Sequence, residues 1–199
     1  MPLWGLGCAG GAIGLSRAFD WLSAHKTSNA LIISCEFCSL TFQKEDTKIS
    51  NFVGTALFGD GVAAALLVGE ASPLKQSVKV RTPTIHATHS YTQKGTTNIM
   101  GWHIRDTGFE VIFSKNIPKF VKRLWKKHVS LFLNEQQWAE IDSYIVHPGG
   151  PKVLEAMETS LLIPKAQIQP SYDVLKNHGN MSSVTIFYVP YEWLLKNNH

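Results

Sequence analysis

The sequence predicts an α/β layered fold. Three observations carry that expectation. Residues 12–24 place Leu15, Ala18, Phe19 and Leu22 on one face at helical spacing. The run Ala30-Leu31-Ile32-Ile33-Ser34 is short, continuous, apolar and rich in β-branched residues, as in a strand buried between helices. Further along, an expected strand over residues 141–146 is followed by a helical pattern over 152–162, so helix and strand alternate again.

At 199 residues, 44% hydrophobic and 17% charged, the chain has a globular composition of ordinary domain size. No apolar run reaches the roughly eighteen residues that a membrane span needs, and the N-terminus lacks a basic region followed by an apolar segment and a cleavage site. The expected location is the cytoplasm. Three cysteines make a disulfide framework a poor reading, and Cys35 and Cys38 lack the second pair that a zinc site requires. His86 and His89 are an equally weak metal cue, so no metal is expected.

Taken in order, the first helix follows Gly5-Leu6-Gly7-Cys8-Ala9-Gly10-Gly11, a segment with a short apolar approach in Pro2, Leu3, Trp4 and Leu6. Cys8 is therefore expected at a strand-to-helix turn. The helix N-terminus there would favour a thiolate, and the glycines would uncover the sulfur. A buried structural cysteine is the alternative, although it has no need of four neighbouring glycines. Residues 43–51 are polar and read as a loop or a lead-in. Gly59-Asp60-Gly61 reads as a tight turn into a strand over 62–68. Residues 71–100 are the least regular part, with one strand expected around 78–81. A long helix is expected from Asn116 to about Leu133, with Pro118 in its first turn, then a short helix over 135–140. After the helix over 152–162 come an expected loop over 171–178 and a strand over 184–189.

The +4 formal charge is spread unevenly, with Lys115, Lys119, Lys122, Arg123, Lys126 and Lys127 clustered on one expected helix. Such a run is either a solvated face or an attractor for an anionic group such as a nucleotide phosphate. The aromatic and basic interleaving used by single-stranded nucleic-acid binders is missing, so nucleic acid is not expected as a partner.

A nucleophilic thiol needs a proton acceptor, and among eight histidines His147 alone is framed by Pro and Gly, in His147-Pro148-Gly149-Gly150-Pro151. The two would form an ion pair ready at neutral pH. Asn180, in Gly179-Asn180-Met181-Ser182-Ser183, could stand beside the imidazole and complete an oxyanion hole for a thioester carbonyl. Cys, His and Asn in this order also make a papain-like protease site, but the local signature around that family's cysteine is absent.

The segments around Cys8, His147 and Asn180, together with Ala56-Leu57-Phe58-Gly59-Asp60-Gly61, resemble the four signature segments of type III polyketide synthases, the chalcone and stilbene synthase family, in family order and over nearly the whole chain. Ketoacyl synthase III enzymes share the residue types but usually carry His-Gln-Ala-Asn where this chain has His147-Pro148-Gly149-Gly150-Pro151. The resemblance implies a thiolase-like fold and decarboxylative Claisen condensation of acyl-CoA starters with malonyl-CoA, without a cofactor beyond the coenzyme A thioesters. It implies Cys8 as the acylated nucleophile, His147 and Asn180 as oxyanion and enolate donors, and Phe58 as an aromatic gate at the malonyl carboxylate. Glu36, Cys38, Thr41 and Gly101 would line the cavity. Cys38 stands where plant members have Thr and alkylpyrone-forming microbial members can have Cys, which points to a fatty acyl starter.

The resemblance also implies an incomplete fold. The chain begins seven residues before Cys8 and ends soon after the Asn180 segment. Residues 1–70 would be the remainder of the N-terminal thiolase half and 71–199 the C-terminal half. Two readings follow. One is a condensing enzyme, homodimeric like its family or joined by a separately encoded N-terminal half. The other is a silent remnant or interaction module, marginally stable and prone to self-association.

Overall fold

The computed structural model describes residues 1–79 and 82–197. Residues 1–6 are irregular and largely exposed, and a 3-10 turn, Gly7–Ala9, leads directly into α1, Gly10–Ala24. The strand expected ahead of Cys8 is not formed, since no neighbouring strand offers residues 1–6 a ladder. Helix α1 buries Gly11, Gly14, Ser16, Ala18 and Leu22, close to the face that the sequence predicts.

Strand β1, Asn29–Glu36, pairs antiparallel with β2, Gly61–Val68, in the register Leu31↔Leu66, Ile33↔Ala64 and Glu36↔Gly61. Alternation sends Ala30, Ile32, Ser34 and Glu36 inward with Gly61, Ala63, Ala65 and Leu67. Leu31, Ile33, Val62 and Leu66 point outward, with relative exposures of 61%, 68%, 53% and 55%. The expectation of a strand sandwiched between helices is therefore corrected. One face of the ribbon packs on the core and the other meets solvent.

Between these strands lie a 3-10 turn, Cys38–Thr41, and helix α2, Ile49–Leu57. The polar stretch before it is a tied loop: the Asn51 amide donates to the carbonyls of Gln43 and Asp46. Val78 and Lys79 are not in a strand, and the rest of the strand expected around 78–81 lies outside the described residues. A hairpin absent from the sequence reading follows, β3, Met100–Arg105, against β4, Gly108–Phe113. It is held to the loop before α2 by Gln43, whose amide donates to the Thr107 and Phe109 carbonyls, and by Glu110, which pairs with Lys48 and Arg105.

Helix α3, Ile117–Glu135, begins and ends close to where the sequence places it. The short helix expected over 135–140 is instead the last turn of α3 and an irregular exit, with Gln137 at a positive φ of 57°. Residues 141–146 form no strand. Their backbone is satisfied locally, Tyr144 N–H donating to the Gln167 carbonyl and Val146 bonding on both sides to the Ser171 hydroxyl. The apolar run was legible, but a strand also needs a neighbour.

Helix α4, Pro151–Leu161, packs along α3, and their contact is the main core: Ile117, Val146, Val153, Leu154, Met157 and Ile168. Helix α5, Gln169–His178, replaces the expected loop, and α6, Thr185–Asn197, replaces the expected strand. The β-branched run at 184–189 is held as a helix because it fills a slot between α1, α5 and β2, where Val184, Thr185 and Val189 are fully buried. Tertiary packing overrides propensity there. No helix among the described residues is long and apolar enough to cross a membrane.

Candidate active site

Gly7 adopts a φ of 51°, opening the turn that presents Cys8 immediately before α1. The residue is half-buried, and its thiol faces the Asn180 side-chain oxygen at 3.9 Å, a weak contact. Asn180 itself is 1% exposed and held by its backbone: its N–H donates to the Leu57 carbonyl at 2.7 Å, and its carbonyl accepts from Gly59 N–H at 3.1 Å. Phe58 thereby bridges Asn180 as a single parallel pair. This close approach requires Gly179, at φ 72°, because a Cβ there would lie 2.8 Å from the Leu57 carbonyl oxygen. Ser182 N–H donates to the Asn180 side-chain oxygen at 2.9 Å, which fixes the amide so that its NH2 faces the Gly149 carbonyl at 3.4 Å.

Gly149 lies two residues beyond His147, so the Asn180 and His147 segments meet at this bond. His147 follows the buried Val146, and its carbonyl accepts from Gly149 N–H before Pro151 starts α4. Both ring nitrogens are buried without a hydrogen-bond partner. An unpaired buried imidazole costs about 1–3 kcal/mol, and it is the kind of group that a substrate satisfies.

Glu36 comes from the inward face of β1. Its carboxylate accepts from the Ser183 hydroxyl and, at 3.3 Å, from Ser183 N–H, while Ser183 also shares a 2.8 Å hydrogen bond with Ser34. Thr41 donates to the Cys38 carbonyl at 2.7 Å and closes that 3-10 turn. The turn is anchored by Ser39, which donates from N–H and hydroxyl to Asp60. Phe58 meets Phe113 edge to face at 6.3 Å. Gly101, by contrast, lies in β3 beside an open groove of about 520 Å³ whose lining contains none of Cys8, His147 and Asn180.

The electrostatics differ from a preformed ion pair. Lost hydration pushes the Cys8 thiol above its ordinary value. The Glu36 charge adds to this, while hydrogen bonds with Ser182 and Asn180 oppose it. Burial pulls His147 down to about 4. Cys38 is pushed up to about 12 by desolvation and then by the charges of Glu36, Cys8 and Asp60. At neutral pH the site therefore rests as neutral thiol and neutral imidazole.

Ser182 and Ser183 are the residues that sequence reasoning missed, although both lie in the segment it singled out. Ser182 takes a positive φ of 50°, a strained conformation for a serine that no local pattern announces.

With this geometry in view, a family model described as chalcone and stilbene synthases, C-terminal domain, matches residues 85–197, and the corresponding N-terminal domain model matches residues 1–73. The chain belongs to the chalcone and stilbene synthase family. This synthase-family chain is 45% identical over 191 residues to a chalcone synthase-like protein of Bacillus subtilis (strain 168), a match covering 95% of the chain and 52% of that protein. It is 36% identical over 191 residues to the 1,3,6,8-tetrahydroxynaphthalene synthase of Streptomyces peucetius subsp. caesius, covering 95% of the chain and 50% of that synthase. The fold matches the crystal structure of the 1,3,6,8-tetrahydroxynaphthalene synthase of Streptomyces coelicolor A3(2), a bacterial type III polyketide synthase. The TM-score is 0.89 at 30% identity, over 99% of this chain and 55% of that one. The chain spans about half the length of the curated relatives it matches.

Proposed function

We propose that this chain acts as a type III polyketide synthase, condensing acyl-CoA starters with units from malonyl-CoA. The observation that supports it best is a half-buried thiol facing a locked amide, with that amide tied through the Gly149 carbonyl to the segment that carries the unpaired His147 ring. In the first step the Cys8 sulfur attacks the starter thioester carbonyl. A carbon–sulfur bond forms, the neutral His147 ring takes the thiol proton, and coenzyme A leaves as its thiolate, which that proton can neutralise. In the second, malonyl-CoA loses carbon dioxide, and the electron pair of the broken bond moves into an enolate. His147 N–H and the free Asn180 N–H donate to its oxygen. The enolate carbon then attacks the acyl group on Cys8: a carbon–carbon bond forms, the carbon–sulfur bond breaks, and Cys8 leaves as its thiolate. Phe58, paired with Phe113, offers the malonyl carboxylate an apolar wall that favours its loss. Neutral donors suit the second step, because it builds negative charge on an oxygen.

No cofactor enters this scheme. A long aliphatic starter, in a cavity lined by Glu36, Cys38 and Thr41, belongs to the same proposal, whereas Gly101 stands apart beside its own groove. The division of the chain near residue 70, a cytoplasmic location and a homodimer belong to the same proposal. A second reading, a family member that works by association with another copy or with a separately encoded polypeptide, is favoured by the outward apolar face of β1 and β2.

Intact-mass measurement after incubation with a long-chain acyl-CoA separates these readings. The expected result is one acyl adduct on the wild-type chain and none on Cys8→Ala. Folded protein without an adduct would leave association as the function.

A further inference from the structure

Gln43 stands in the loop ahead of α2, is 8% exposed, and has no part in the scheme above. Both polar ends of its side chain engage the tip of the hairpin formed by β3 and β4. The Oε1 oxygen accepts from the Thr107 hydroxyl at 2.6 Å, and Nε2 donates to the Thr107 and Phe109 carbonyls at 3.3 and 3.2 Å. Its main-chain carbonyl accepts from the Asn51 amide of α2 at 2.8 Å. One buried residue thus ties the hairpin tip to the helix. The other polar tie between them, Glu110 to Lys48, uses an exposed lysine and is weakened by water. Strand β4 pairs with β3 alone, so no further strand fixes the tilt of the hairpin against α2 among the described residues.

That tilt reaches the candidate site. Helix α2 ends one residue before Phe58, and β4 ends at Phe113. Alternation puts Phe109, Val111 and Phe113 on one face of β4. Val111 approaches α2 at Gly54, where a Cβ would lie 3.6 Å from the valine and 3.4 Å from the Phe58 ring. Two residues on, Phe113 meets the Phe58 ring edge to face at 6.3 Å. Phe113 is therefore carried on a lever of roughly 13 Å, at about 3.3 Å per residue, whose near end Gln43 holds at Phe109.

We propose that Gln43 is a positioning residue for carboxylate loss: by holding the hairpin tip to α2 it sets Phe113 against Phe58, and so fixes the apolar wall at the malonyl carboxylate. The inference rests on the synthase chemistry proposed above. Gln43 touches no reacting atom and acts through Phe113 and Phe58. Decarboxylation uses that wall, whereas acylation of Cys8 does not, so the two half-reactions should respond differently to its loss.

The experiment compares the full chain with Gln43→Met, which keeps an unbranched side chain of similar length and removes the side-chain hydrogen bonds to the hairpin. Thr107→Val, which removes one hydroxyl only, is the milder companion. Hydrogen exchange needs no turnover: the amides of residues 100–113 should exchange about tenfold faster in Gln43→Met, the effect of about one buried hydrogen bond, with those of α3 and α4 unchanged. Malonyl-CoA decarboxylation should fall about tenfold in Gln43→Met and less in Thr107→Val, while the rate of acyl-adduct formation on Cys8 holds. In a Phe58→Ala background Gln43→Met should add no further loss of decarboxylation, a coupling that general loosening of the fold would not produce. Unchanged hairpin exchange, equal loss of loading and decarboxylation, or full additivity with Phe58→Ala would each overturn the proposal. A wild-type chain that neither loads nor decarboxylates would instead overturn the proposed function, and this role with it, even where hairpin exchange shows the clamp itself.

Discussion

His147 is neutral because its nitrogens are buried, and this has a consequence for stability. In the unfolded chain the imidazole takes up a proton below about pH 6.5. In the fold it does so only near 4. Between these values the unfolded state binds more protons, so stability is expected to fall as pH is lowered through that window, by up to about 3 kcal/mol. Urea midpoints at pH 7 and pH 5 check this, and His147→Gln should flatten the difference. An identical slope in the variant would remove His147 as its source. A second expectation concerns the thiols. Cys35 is exposed on the outward face, whereas Cys8 and Cys38 are half-buried and pushed up. Limited iodoacetamide at pH 7.5 should therefore label Cys35 first, as read by peptide mass mapping. Rapid labelling of Cys8 would instead reveal the thiolate that the helix terminus alone suggested. At Asn180, replacement by Ala removes an amide donor held by backbone bonds on both sides. On the proposed function, malonyl-CoA decarboxylation should drop by at least about 100-fold while acyl loading of Cys8 persists. Equal loss of both would place Asn180 in the loading step.

The juncture of α1 with α6 decides whether Cys8 and Asn180 meet. Gly11 lies against this juncture, where a Cβ would overlap the Ser183 carbonyl oxygen and the Ile186 side chain. Gly11→Ala should therefore push α1 away from the turn that carries Ser182 and Ser183. Overpacking of this kind costs about 1–3 kcal/mol, a fall of roughly 3–10 °C in melting temperature for a chain of this size. Circular dichroism melts, read beside acyl-adduct yield, would check both effects. An unchanged melt would mean that α6 yields without cost. The same juncture explains why the last helix was misread. The run at 184–189 has strand propensity in isolation. Met181, Val184 and Val189 nevertheless close a core cluster with Val174 of α5, and the helix that starts at Thr185 brings Val189 into it. Helices α1, α3 and α4 were legible because each carries its own stripe of apolar residues at helical spacing. The hairpin of β3 and β4 was not, because its alternation is weak: Trp102 and Ile104 are exposed on a strand that buries little.

Across the described residues, the outward face of β1 and β2 sets a contiguous group of apolar side chains against solvent. Leu31 and Leu66 are direct cross-strand neighbours, flanked by Ile33 and Val62, and all are more than half exposed. Each such side chain gains about 1.5–3 kcal/mol when fully buried. Self-association at micromolar concentration is the expected outcome in sedimentation velocity. Leu31→Thr/Leu66→Thr should shift the population toward monomer without lowering the melting temperature. A wild-type chain that stays monomeric at high concentration would contradict this.

By itself the sequence determined the residue types of the site, the four segments that carry them and the family to which they point, because glycine spacing and polar residues at turns are local signals. It also determined the amphipathic helices and the turn into β2, for the same reason. Tertiary structure alone decided which face of β1 meets water, that residues 184–189 are helical, that Ser182 and Ser183 join the site, and that thiol and imidazole both rest neutral. Those outcomes depend on hydration lost to groups distant in sequence, and no window of neighbouring residues contains that information.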